Sequence, residues 1–156
     1  MQLAKASSID AFAINMARDE VTNGQSLANA FIAANNRGFK LFFSFDYAGN
    51  SLWLKADVIA LISQYQNDPA YFKRGSQPLV STFEGWQAYK DWPSIKTTTS
   101  CYFVPSWSSL GAKGAMELGV VNGLFSWAGV RIMPLFSWYL DNFCNTTILT
   151  LLSTVA

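Results

Sequence analysis

The sequence contains no histidine. That removes serine–histidine and cysteine–histidine nucleophilic catalysis, and with them most zinc sites. Acid–base chemistry near neutral pH then falls to carboxyl groups whose pKa has been moved by their surroundings. Cysteine is almost as scarce. Cys101 and Cys144 stand apart without metal-site spacing, and they read as two buried thiols rather than a disulfide. Charged residues make up only 13% of the chain, with a net charge of +1. No basic patch marks a nucleic-acid partner. There is no G-x-G-x-x-G or phosphate-loop motif, which leaves a nucleotide- or phosphate-using α/β protein as the weakest reading. Neither a metal nor a cofactor is called for. The longest uncharged run after Val130, Asn142 to Ala156, is too short for a secure membrane span. Met1 to Ile9 holds one lysine and lacks the apolar region of a signal peptide.

What is abundant is apolar and aromatic. Apolar residues reach 51% and aromatics 15%, with six Trp and six Tyr, in 156 residues. That suffices for one domain with a sizeable core. Aromatic rings in such excess suit stacking on sugars, although large cores also hold them.

The chain is organised around Gly38 to Asn50, GFKLFFSFDYAGN. A glycine able to stop a helix precedes the apolar run Phe39 to Phe45, which reads as a strand buried on both faces of a parallel sheet. It ends abruptly at Asp46. A carboxylate at the carboxyl end of such a strand is where α/β proteins place their chemistry; a loop acid or helix cap is the bland alternative.

The same rhythm recurs. Met1 to Ser7 reads as the last turns of a helix and Ala11 to Asn15 as a short strand ending in Asn15. Asp19 and Glu20 lie in the loop that follows. Gln25 to Asn36 is a helix with Leu27, Phe31 and Ala34 on one face, and Lys55 to Gln66 is a second. Pro78 to Phe83 is a strand closing at Glu84, with a short helix over Trp92 to Thr99. Cys101 to Val104 is a strand, Gly111 to Leu118 a helix, and Gly123 to Ser126 a last strand ending at Trp127. Strand, helix and strand in succession predict an α/β fold of the (β/α)8 TIM-barrel type with right-handed crossovers. It is incomplete, with about five βα units where a whole barrel takes about 250 residues. Residues 1–129 form this partial barrel domain. Residues 130–156 lose the pattern and read as a divergent tail foreign to the fold, of the kind that translated non-coding sequence produces.

The segments SIDAFAINMARDE, GFKLFFSFDYAGN, PLVSTFEGW, CYFVPSWSSLG and VNGLFSWAG, in this order, resemble the fungal α-1,3-glucanases, the mutanases of glycoside hydrolase family 71. The likeness runs from Gln2 to Ala128. It implies a barrel-type catalytic domain that cleaves α-1,3-glucan by inversion and is secreted or held at the cell wall. It also implies that Asn15 and Asp19 match the Asn and Asp after the family's early strand. Asp46 matches the Asp of its Ser-Phe-Asp motif, and Trp127 the Trp of a late strand. Two positions depart: Glu84 stands where some members carry a small residue, and Ser106 where an Asp or Asn is often found. The family's Trp-Asn-Asp-Tyr-Gly-Glu-Ser-like motif, taken to hold the acid and base, has no match in this sequence.

An inverting glycosidase needs two carboxyls roughly 6.5–9.5 Å apart, one of them kept protonated. Within this chain Asp46 and Glu84, closing successive strands, are the best catalytic pair. The resemblance instead makes Asp46 a ligand for sugar hydroxyls or a residue tuning a distant acid. Asn15, Asp19, Tyr47, Trp86, Trp107 and Trp127 are the candidate substrate contacts; for each Trp, capping the core is an equal alternative, and Asp19 reads equally as a helix-start charge. Three readings follow: an α-1,3-glucan hydrolase; a truncated, inactive remnant that binds α-glucan weakly; or the nucleotide-using protein. The partner is a polysaccharide in the first two.

Overall fold

The computed structural model describes residues 1–127. The tail from Val130 and Cys144 lie outside them. A short helix α1 (Gln2–Ala6) leads into β1 (Ala11–Ala17), α2 (Asn23–Arg37), β2 (Lys40–Asp46), α3 (Lys55–Tyr65), β3 (Lys73–Arg74) and β4 (Gln77–Phe83). A 3-10 helix (Trp86–Asp91), α4 (Trp92–Thr99), β5 (Tyr102–Phe103) and α5 (Gly111–Glu117) follow. β1, β2, β4 and β5 are parallel and adjacent in that order, while β3 pairs antiparallel with the start of β4. This is an α/β fold with a parallel sheet.

β2 lies inside the sheet, bonded to β1 on one side and β4 on the other. Leu41 through Phe45 are all buried, as a strand covered on both faces requires. Side chains alternate between the faces. Phe43 meets Phe31 of α2 and Tyr65 of α3, and Phe45 meets Trp53 ahead of α3. Leu41, Phe43 and Phe45 therefore face the helices. Phe42, Ser44 and Asp46 occupy the opposite face, where Phe42 touches Phe125. Gly38 ends α2 in the left-handed conformation, φ 58, with its N–H returned to Asn35. On α2, Leu27, Phe31 and Ala34 are buried, the face that the 3.6-residue period predicts. On α4 the start at Trp92–Pro93 also agrees.

Four expectations need correction. β1 does not end at Asn15 but runs to Ala17, because all seven of its residues keep register with β2. β5 is shorter than Cys101 to Val104. Gly123 to Ser126 forms no strand: the Asn122 side-chain oxygen accepts from the Phe103 N–H at 3.0 Å, taking the place of a backbone carbonyl. The segment still lies along β5, with the N–H groups of Asn122 and Phe125 donating to the carbonyls of Phe103 and Pro105. The described residues thus hold four parallel strands rather than five. β3 and the 3-10 helix are additions that hydrophobic periodicity does not signal. Cys101 is a buried free thiol.

Candidate active site

The parallel strands finish together. Ala17, Asp46 and Phe83 are register partners across β1, β2 and β4, and Phe83 bridges onward to Ser106. One step back lies the row Asn15, Ser44 and Ser81. Both rows face away from the helices. Side chains lean along a strand, so Asn15 reaches the carboxylate one row ahead. Its Nδ2 donates to Asp46 Oδ2 at 3.2 Å, while the Ala48 N–H donates to Oδ1 at 2.8 Å. Each oxygen of Asp46 thus has one fixed donor. Asn15 Oδ1 is buried and has no partner among the described residues.

The loops after β1 and β2 are joined by a series of polar contacts. Asn50 Nδ2 donates to the Arg18 carbonyl at 3.2 Å, Ser51 Oγ to Asp19 Oδ2 at 3.1 Å, and Arg18 Nη1 to the Leu52 carbonyl at 3.3 Å. The Trp53 indole donates to the Met16 carbonyl at 3.1 Å. Arg18 also pairs with Asp57 at 3.5 Å. Asp19 belongs to this seam, in a left-handed conformation with φ 61 and an exposed side chain. Arg18, Asn50 and Ser51 carry no motif that sequence reading could have found.

Glu84 turns away from Asp46, toward the loop after β5. Its carboxylate accepts hydrogen bonds from the hydroxyls of Ser108 and Ser109 and, at 3.0 Å, from the Ser109 N–H. Partial burial pushes its pKa up, but these bonds outweigh that and hold the carboxyl below its ordinary value. Two loop serines, unremarkable in the sequence, therefore control this acid.

The aromatic candidates divide. Trp127 stands edge-on to Phe83 at 5.9 Å, on the face that carries Asp46. Trp86 is partly buried at the start of the 3-10 helix. Trp107 is buried against Phe103, which α4 covers through the stacked Trp92. The Tyr47 ring is also buried. It packs so tightly on Gly85 that a Cβ there would lie 2.3 Å from a ring carbon. Burial, with Asp91 nearby, holds its phenol far above its ordinary pKa. The structure therefore gathers Asn15, Asp46 and Trp127 on one face of the sheet, places Asp19 and Glu84 in loop contacts, and packs Tyr47 and Trp107 into the interior. A hollow of about 360 Å³ lined by Lys40, Asp68, Tyr71 and Lys73 lies at the other end of β2, remote from these residues.

A glucan endo-1,3-alpha-glucosidase of Schizosaccharomyces pombe is 34% identical over 143 residues, covering 81% of this chain and 33% of that protein. A mutanase of Penicillium rubens is 31% identical over 132 residues, covering 81% of this chain and 28% of that protein. The chain spans about a third of the length of these curated relatives. Among solved structures, the GH99 endo-alpha-mannosidase from Bacteroides thetaiotaomicron superposes with a TM-score of 0.65 at 14% identity, over 91% of this chain and 52% of the other. That likeness concerns the fold. The match to glycosyl hydrolase family 71 extends over residues 1–131, and the chain belongs to that family.

Proposed function

We propose that residues 1–129 form part of the (β/α)8 barrel of a glycoside hydrolase that cleaves α-1,3-glucan by inversion, with residues 130–156 a separate tail. The parallel strand order, the helices packed on one face and the likeness to a GH99 enzyme support the barrel. The substrate class rests on the relatives' names. A neutral, polyhydroxylated chain also suits a face of small polar residues with Trp127 beside them. Such a substrate places the protein outside the cell or at the cell wall.

The observation that carries the reading is Asp46: a carboxylate ending an inner parallel strand, with one fixed donor on each oxygen. Glu84 follows the register partner of Asp46 on β4. For the two to act as a pair, the Glu84 side chain must leave Ser108 and Ser109 and turn toward Asp46. The depressed pKa of Glu84 fits an ionised base. The test is reducing-sugar release from α-1,3-glucan by the purified chain. Activity is expected, with the β-anomer formed first, and Asp46→Asn and Glu84→Gln each lowering kcat by about 10²–10⁴-fold.

One observation favours a second reading, a glucan-binding chain that does not cleave. Both oxygens of Glu84 are already taken by Ser108 and Ser109, and neither carboxylate is bonded to the other. A folded chain that retains α-1,3-glucan in a pull-down yet releases no sugar would establish that reading for this polypeptide.

A further inference from the structure

We infer that Asn15 is a positioning residue: through its side-chain amide it sets the direction in which Asp46 presents its carboxylate. This rests on the reading of Asp46 as the reacting carboxylate. Asn15 lies within β1, not in a loop, and its register partner Ser44 is two residues before Asp46 on the same face. Two strands therefore fix the donor and the acceptor independently of any mobile segment. The Asp46 carboxylate has one torsional freedom left about its last bond. The Ala48 N–H on Oδ1 and Asn15 Nδ2 on Oδ2 remove it from opposite sides. Ala48 belongs to the turn after β2, whereas Asn15 is the donor that comes from a neighbouring strand.

The competing role is direct contact with sugar through the unpartnered Oδ1 of Asn15. The two differ in what they predict. A positioning residue acts only through Asp46. Its loss lowers kcat and leaves KM nearly unchanged, because a misplaced group costs about 10²-fold in the reacting step. A sugar ligand lost from the ground state raises KM.

The experiment has two arms. In the first, kcat and KM on α-1,3-glucan are compared for the natural chain, Asn15→Ala, Asn15→Asp, Asp46→Asn and the double variant Asn15→Ala/Asp46→Asn. Asn15→Asp is nearly isosteric, so it guards against loss of fold. Both Asn15 variants are expected to lose about 10²-fold in kcat with KM within about twofold. Asn15→Ala is expected to add nothing further in the Asp46→Asn background. A raised KM at unchanged kcat, or losses that add, would overturn the inference. The second arm needs no activity. In the 15N-labelled chain, the Asn15 side-chain amide protons should shift as the carboxylate is titrated and lose that response in Asp46→Asn. Their silence in the natural chain would overturn the inference. A responding amide in a chain that cleaves nothing would instead count against the hydrolase reading and leave the Asn15–Asp46 coupling standing.

Discussion

Glu84 adopts a left-handed backbone conformation, φ 54, that side chains rarely take up. The surrounding bonds hold it there: its N–H donates to the Ser106 carbonyl, and its carboxylate takes the hydroxyls of Ser108 and Ser109. Because its folded pKa lies below its unfolded value, its contribution is present above the ordinary carboxyl value and lost as pH falls through the folded one. Glu84→Gln should therefore lower the stability at pH 7, by no more than about 1 kcal/mol at so exposed a site. The two proteins should converge at strongly acidic pH, as thermal melts across a pH series would show. A gap that widened on acidification would contradict the assignment. At this scale Asp46 was legible because a charge ends an apolar run. The pairing of Asn15 with Asp46 was not, since 31 residues separate them and no local spacing records a register. Nor do Ser108 and Ser109 differ in sequence from ordinary loop serines.

Elements were more legible than side chains, where a period of 3.6 or a helix stop is itself the signal. α2, α3 and α4 follow their apolar faces and their Gly or Pro boundaries. What failed was the Gly123 to Ser126 strand, where the Asn122 side chain takes over the ladder. β3 and the 3-10 helix were missed because neither buries a periodic face. Two substitutions test how elements join. Gly85 has φ 84 and abuts the Tyr47 ring, so Gly85→Ala should cost about 3 kcal/mol in urea unfolding. Trp92 of α4 lies flat on Phe103 of β5, with ring centroids 3.4 Å apart, and is fully buried. Trp92→Ala should cost about 4 kcal/mol. A loss below about 1 kcal/mol in denaturant titration would mean that α4 is not fixed to the sheet in this way.

For the whole molecule, the decisive features are sheet edges. The edge of β5 is occupied by Asn122 to Phe125. Among the described residues β1 pairs with β2 alone, and an unpaired strand edge is a template for pairing with another chain. The purified 156-residue chain should therefore self-associate, running above monomer mass and rising with concentration in light scattering after size exclusion. A monomer at every concentration would show that this edge is covered. The α/β class and the parallel order were readable from alternating strands and helices. The number of strands was not, because β5 is only two residues long and its neighbour runs alongside without forming a ladder.

The seam between the loops after β1 and β2 bears on how such a site can change over time. Asn50, Ser51 and Leu52 each hold a partner at Arg18 or Asp19, so neither loop can be lengthened, shortened or exchanged without breaking the other's contacts. The two segments form a single structural unit. Recombination that reshapes this side of the rim must transfer residues 18–19 and 50–52 together.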